Sequence, residues 1–304
     1  MSVVIEVVGL RKSYDDVVAV DNISFEVHEG EIFGMVGPNG AGKTTTIECI
    51  EGLRQRDSGN VNLFGVDPDV SHSKLAERIG IQLQESALPA RIRVREAMSL
   101  FGSFYASQAD SDELLDRLGL TEKRSASFSK LSGGQKQRLF IALALINRPE
   151  VVFFDELTTG LDPQARRAMW DLVRQIRDEG HTVFLTTHFM EEAERLCDRV
   201  LILDRGKIVA LDTPEALISS LEMEKRIVLT LPSAPDKLPL SDLPQVDRIE
   251  HSGDRVVVYG HGERFAGPVI TALEHAGIDF LDVRTEQPNL DDVFLALTGR
   301  EMRE

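Results

Sequence analysis

The run "EIFGMVGPNGAGKTTTIECIEGL", residues 31–53, constrains this chain more than any other part of it. A short, mostly apolar strand leads into a loop that matches G-x-x-x-x-G-K-[ST] from Gly37 to Thr44, and a helix-forming segment follows. That order suits phosphate binding. Across Gly37, Pro38, Asn39, Gly40, Ala41 and Gly42, backbone N–H groups uncrowded by side chains would face the phosphates, and the helix start at Lys43, Thr44 and Thr45 adds its positive end. Lys43 would reach the β and γ phosphates, and the Thr44 hydroxyl would ligate Mg²⁺.

The run "VVFFDE" supplies an acidic complement. Four apolar residues bury a strand, and Asp155 and Glu156 emerge at its carboxyl end, where open α/β sheets bind ligands. Asp155 is expected to hold Mg²⁺ through water and Glu156 to polarise an attacking water. A third run, "LSGGQKQRLF" at 131–140, sets Ser132 as an N-cap before Gly133, Gly134 and Gln135. It reads as a second glycine-bearing helix start, although the loop at 37–44 already offers a phosphate cradle.

Composition narrows the setting. The chain has 304 residues, 42% hydrophobic and 28% charged, so one large domain with a smaller one is expected and a disordered or fibrous chain is excluded. A net charge of -16 argues against a broad nucleic-acid footprint and against holding an anionic membrane by charge. Cys49 and Cys197 have no metal-ligand or CxxC spacing, which reads as two buried thiols in a reducing compartment. No apolar run reaches the length of a membrane span, and the N-terminus lacks the order of a secretion signal.

Along the chain, "MSVVIEVVGLRKSY" and "AVDNISFEVHEGEIFGMVG" alternate as antiparallel strands do. The spacing predicts a helical insert over about 90–148. "EVVFFDE" and "HTVFLTTH" read as strands of a parallel sheet covered on both faces, with "AMWDLVRQIRDEG" as the helix between them. Near "MEKR", 223–226, the character changes to a small α+β unit of strands and two helices, with a proline-spotted loop at "LPSAPDKLPLSDLP".

The order of motifs resembles the nucleotide-binding subunit of an ATP-binding cassette (ABC) transporter: glycine loop, Gln84 in "GIQLQESALP", "LSGGQ", "DE", "TTGLDP" at 158 and "TTHFMEE" at 186. The resemblance covers about residues 1–220 and implies a P-loop NTPase cassette with an antiparallel β subdomain and helical insert, followed by an accessory domain over 224–304. It implies ATP and Mg²⁺ as cofactors and hydrolysis with Glu156, His188 and Gln84 as catalytic residues. Thr44, Gln84 and Asp155 would hold the metal. Two copies would pack head to tail, so that Ser132, Gly133, Gly134 and Gln135 of one face the γ-phosphate in the other. Tyr14 would stack on adenine, Asp162 would stand at the seam, and His188 would contact the γ-phosphate.

One residue departs from the family pattern: Leu157 stands where a proline commonly follows the glutamate. The segments "LCDRVLILDRGKIVALDTPEAL" and "NLDDVFLALTGRE" resemble the daunorubicin-type group of drug-resistance exporters. This implies a multidrug or antibiotic exporter, peripheral on the cytoplasmic face of the membrane through separate six-helix permeases, with no nucleic acid bound. An importer subunit is the nearer rival, and a translation or DNA-maintenance ATPase the further one. Only 87 residues separate Thr44 from the signature, too few for the long coiled coil of the DNA-maintenance group. The tail unit would brace the homodimer or regulate its opening.

Overall fold

The computed structural model describes residues 2–82, 87–220, 225–232, 238–240, 243–253, 255–262, 265–286 and 288–300; Gln84 lies outside them. The chain divides into two compact units, Met1–Pro214 with Leu297–Glu304, and Glu215–Ala296. Among the described residues no helix is long and apolar enough to cross a membrane.

The first unit runs β1 (Val3–Tyr14), β2 (Val17–His28), β3 (Ile32–Val36), α1 (Lys43–Glu51), β4 (Ser58–Leu63), α2 (Pro68–Ala76) and β5 (Ile79–Gln82). The helical insert holds α3 (Val94–Gly102), α4 (Ser111–Arg117) and α5 (Gly133–Leu145). There follow β6 (Val151–Asp155), α6 (Pro163–Asp178), β7 (Thr182–Thr187), α7 (Met190–Leu196), β8 (Arg199–Asp204) and β9 (Lys207–Asp212).

Strands β2, β1 and β4 form an antiparallel sheet, in which Ile5, Val7 and Leu10 point inward. The second sheet has the order β5-β6-β7-β3-β8-β9, parallel except for β9. Here the structure corrects an expectation. The sequence pattern puts "EIFGMV" with the antiparallel strands, yet β3 is parallel to both its neighbours and buried at every position. Its alternation is broken by Gly34, where a Cβ would meet Cys197 Sγ at 2.4 Å. The two sheets are locked together by aromatic rings: Phe25 of β2 stacks on Phe33 of β3 at 5.5 Å, and Phe184 lies 5.3 Å from Phe33 and 5.6 Å from Phe153.

The helix read at "AMWDLVRQIRDEG" begins earlier, at Pro163. Asp162 caps it by accepting from the N–H groups of Gln164 and Ala165, and Pro163 takes the first helical position, where a missing N–H does no harm. Helix α5 starts as expected, with Ser132 and Gln135 in a capping box.

Sheet register positions the site. Asp155 pairs with Thr186 and Val36 with Thr187, so β6, β7 and β3 end together. The glycine loop after β3, Glu156 after β6 and His188 after β7 therefore leave one sheet edge side by side.

The second unit contains α8 (Pro214–Ser220), whose first residue belongs to the first unit, then β10 (Lys225–Thr230), β11 (Val246–Ser252), β12 (Arg255–Gly260), α9 (Ala266–His275), β13 (Asp282–Glu286) and α10 (Leu290–Thr298), whose last two residues, Leu297 and Thr298, belong to the first unit. Its four strands are antiparallel in the order β11-β12-β10-β13. Ile227, Leu229, Val256 and Val258 form a core with Val269 and Leu273 of α9. The chain then returns to the first unit, where Arg300 pairs with Asp204.

Candidate functional site

Between β3 and α1 the chain must turn sharply, and Gly42 does so at φ 105 with its Cα pressed on β2: a Cβ there would meet the Ala19 carbonyl oxygen at 2.2 Å. The loop encloses a cleft of about 370 Å³, lined by Asn39, Gly40, Gly42, Lys43, Thr44, Thr45, Ala19 and Glu156. Ala19 was missed in the sequence, since a small residue on a strand carries no chemical signal.

Lys43 is 4% exposed, and its Nζ donates to the Gly37 carbonyl at 2.7 Å. Burial pushes its pKa below the usual ammonium range, with Glu156 and Asp155 pulling the other way. Glu156 Oε1 lies 3.5 Å from Lys43 Nζ, and Glu156 Oε2 lies 3.3 Å from His188 Nδ1. The glutamate is 8% exposed and takes φ 50, a left-handed conformation for a residue with a Cβ. A proline at 157 would steer residue 156 toward extended backbone; Leu157 leaves this conformation open.

Asp155 is also buried. Burial raises its carboxyl above the ordinary value; hydrogen bonds from the Thr186 and Thr44 hydroxyls pull it back, Glu156 raises it further and Lys43 lowers it. Thr186 donates to Asp155 and accepts from the Glu156 N–H at 3.1 Å, so one hydroxyl fixes both acids. The sequence signal was present in "FLTTH", but a threonine in an apolar strand reads first as β-branched packing. Asp155 beside the Thr44 hydroxyl makes an all-oxygen donor set, which fits a hard divalent ion such as Mg²⁺.

Other expected residues stand apart from the cleft. Tyr14 ends β1, opposite Val17, and does not line it; Arg54 lies 5.2 Å and Lys12 5.6 Å from the centre of its ring. Asp162 is exposed at the N-cap of α6. Ser132 and Gly133 are exposed, and the "LSGGQ" segment does not line the cleft. At Gly133 and Gly134 an added Cβ would meet nothing within 4 Å among the described residues, and neither has a positive φ.

The family model described as "ABC transporter" matches residues 20–159. The Nod factor export ATP-binding protein I of Paraburkholderia xenovorans (strain LB400) is 41% identical over 309 residues, covering 99% of this chain and 98% of that protein. Its counterpart in Mesorhizobium japonicum is 40% identical, covering 100% of this chain and 89% of that protein. Among solved structures, cbiO1 from Clostridium perfringens, part of the ABC transporter complex cbiONQ, has a TM-score of 0.66 at 27% identity, covering 73% of this chain and 93% of that one. A dimeric bacterial ABC transporter cassette has a TM-score of 0.61 at 26% identity, covering 69% and 98%.

Proposed function

Because the chain belongs to the ATP-binding subunits of ABC transporters, which bind ATP and couple its hydrolysis to transport, we propose that it is the motor of an exporter, working as a head-to-tail homodimer on separate permease subunits. The observation that carries the hydrolytic assignment is the single Glu156 carboxylate lying between Lys43 and His188 at the glycine loop.

In this reading the loop from Gly37 to Thr45 grips the phosphates, with Lys43 neutralising their charge. Glu156 takes a proton from the attacking water, and His188 holds the γ-phosphate. Thr44 and Asp155 hold Mg²⁺, which when bound neutralises charge on the phosphate oxygens; Gln84 joins them on the resemblance alone. Tyr14 stacks on adenine. Ser132, Gly133, Gly134 and Gln135 of a second copy close the site, with Asp162 at the seam. The open space at Gly133 and Gly134 supports this: nothing among the described residues requires glycine there, whereas a phosphate approaching the backbone would.

Export is favoured because the relatives named for export align over nearly the whole chain, the small second unit included. The tail segments support a drug or antibiotic as cargo, and a six-helix type of permease. We also propose that residues 224–304 brace or regulate the dimer. Purification of the chain from detergent-solubilised membranes of its host tests the reading. A stoichiometric integral membrane protein with ATP-dependent export is expected; a solute-binding protein in the complex would convert the reading to import, and ribosomes or nothing would end it.

A further inference from the structure

Helix α6 carries Arg166 and Trp170 four residues apart on one stripe, and Asp162 caps its start four residues before Arg166. Arg166 holds its guanidinium 3.9 Å from the centre of the Phe189 ring, and that ring in turn lies 4.1 Å from the His188 imidazole. Trp170 donates its indole N–H to Glu192 Oε1 at 2.9 Å. Glu192 is 3% exposed in the first turn of α7, the helix that follows Thr187, His188 and Phe189.

A carboxylate this deeply buried, with no ion pair among the described residues, is expensive unless its oxygens are satisfied. Burial pushes the Glu192 carboxyl up, and it is pulled back by Thr187, Thr158, the Trp170 indole and the charge of Arg166. These partners come from three separate places: the end of β7, the loop after Glu156, and α6. Thr187 also accepts from the Phe189 N–H at 3.0 Å, which turns the chain at His188. Glu192 therefore sits where the histidine's strand end, the loop leaving the glutamate and the helix starting at Asp162 converge, without lining the cleft itself.

We propose that Glu192 is a positioning residue for hydrolysis: held by Trp170, it sets the Thr187–Phe189 turn so that His188 meets Glu156 and the γ-phosphate at the right distance. This rests on the assignment of His188 to the γ-phosphate. Nucleotide binding belongs to the glycine loop and should not depend on Glu192. Misplacement of the histidine by about 1 Å would instead appear in the chemical step, at a loss of roughly 10²-fold.

The test uses the full-length chain and Trp170, its single tryptophan, as the optical reporter. Glu192→Leu is expected to lower kcat about 10²-fold with KM for ATP and ADP affinity unchanged, and to shift the Trp170 emission. Glu192→Gln keeps an oxygen acceptor and is expected to restore most of the rate. Should Glu192→Leu not fold, Trp170→Phe removes the indole donor together with part of the buried ring, and should lower kcat several-fold at unchanged KM. Wild-type kcat in Glu192→Leu, or in Trp170→Phe when it stands in for it, overturns the proposal. So does a loss in Glu192→Leu that falls equally on ADP binding and is not rescued by Gln. His188→Ala separates the two readings: full turnover there removes the histidine assignment itself, whatever Glu192 does.

Discussion

Glu156 and His188 meet across the ends of two parallel strands, Oε2 to Nδ1 at 3.3 Å, while the other oxygen of the same carboxylate lies 3.5 Å from Lys43 Nζ. The carboxylate thus stands against the two groups assigned to the γ-phosphate. A nucleotide must take them from it.

Glu156→Gln should therefore change two things in opposite directions. Removing the negative charge beside a buried lysine eases the approach of phosphate, so ADP affinity measured by calorimetry should rise several-fold. Hydrolysis should fall by orders of magnitude, about 10² or more, since a carboxamide cannot accept the proton from water. Closed dimers should accumulate with ATP on a sizing column. Normal turnover would place the base elsewhere.

Gly134 separates fold from function. No described side chain or backbone crowds it, and glycine in a helix is worse than alanine by about 0.5–1 kcal/mol. Gly134→Ala should raise the melting temperature slightly while lowering ATPase activity and ATP-dependent dimerisation together. An unchanged rate would show that the second copy does not approach this backbone.

Much of the candidate site is legible because its residues carry chemistry at fixed spacing: the glycine loop, Asp155 and Glu156, and the histidine at the end of an apolar strand. What was not legible depends on register and burial. Thr186 and Ala19 enter only once β6, β7 and the β1–β2 pair are in place. Glu192 reads in sequence as one acid among the first-turn residues of α7, and only the fold reveals that it is buried against Trp170. The antiparallel expectation for β3 failed for a related reason: five buried positions look alike from either kind of sheet, and Gly34 owes its size to Cys197, far along the chain.

Tyr14 is exposed, with Arg54 and Lys12 near its ring, and stacking on a base would bury it further. Tyr14→Ala should raise KM for ATP about 5-fold, the low end of the effect of losing one base–aromatic stack, with kcat nearly unchanged. Binding of inorganic triphosphate, which lacks a base, should be unaffected. Equal weakening of both ligands would indicate that the tyrosine only supports the β1–β2 hairpin.

Glu51 closes α1 with its carboxyl 1% exposed and Oε2 without a hydrogen-bond partner among the described residues. Burial pushes its pKa well above 4.5, with Asp155 and Glu48 adding repulsion. A carboxyl whose folded pKa is raised stabilises the fold only while protonated. That contribution is full below about 4.5, the unfolded value, and is lost as pH rises toward the folded value. The charge-free Glu51→Gln escapes the loss, so its melting temperature should exceed that of the wild type at neutral pH and converge with it at acid pH. Each 1 kcal/mol gained should appear as about 2–4 °C. Because Glu51 does not line the cleft, ATPase activity should persist. A variant less stable than wild type at pH 7 would mean that the buried carboxylate is held in charged form by the core around α1.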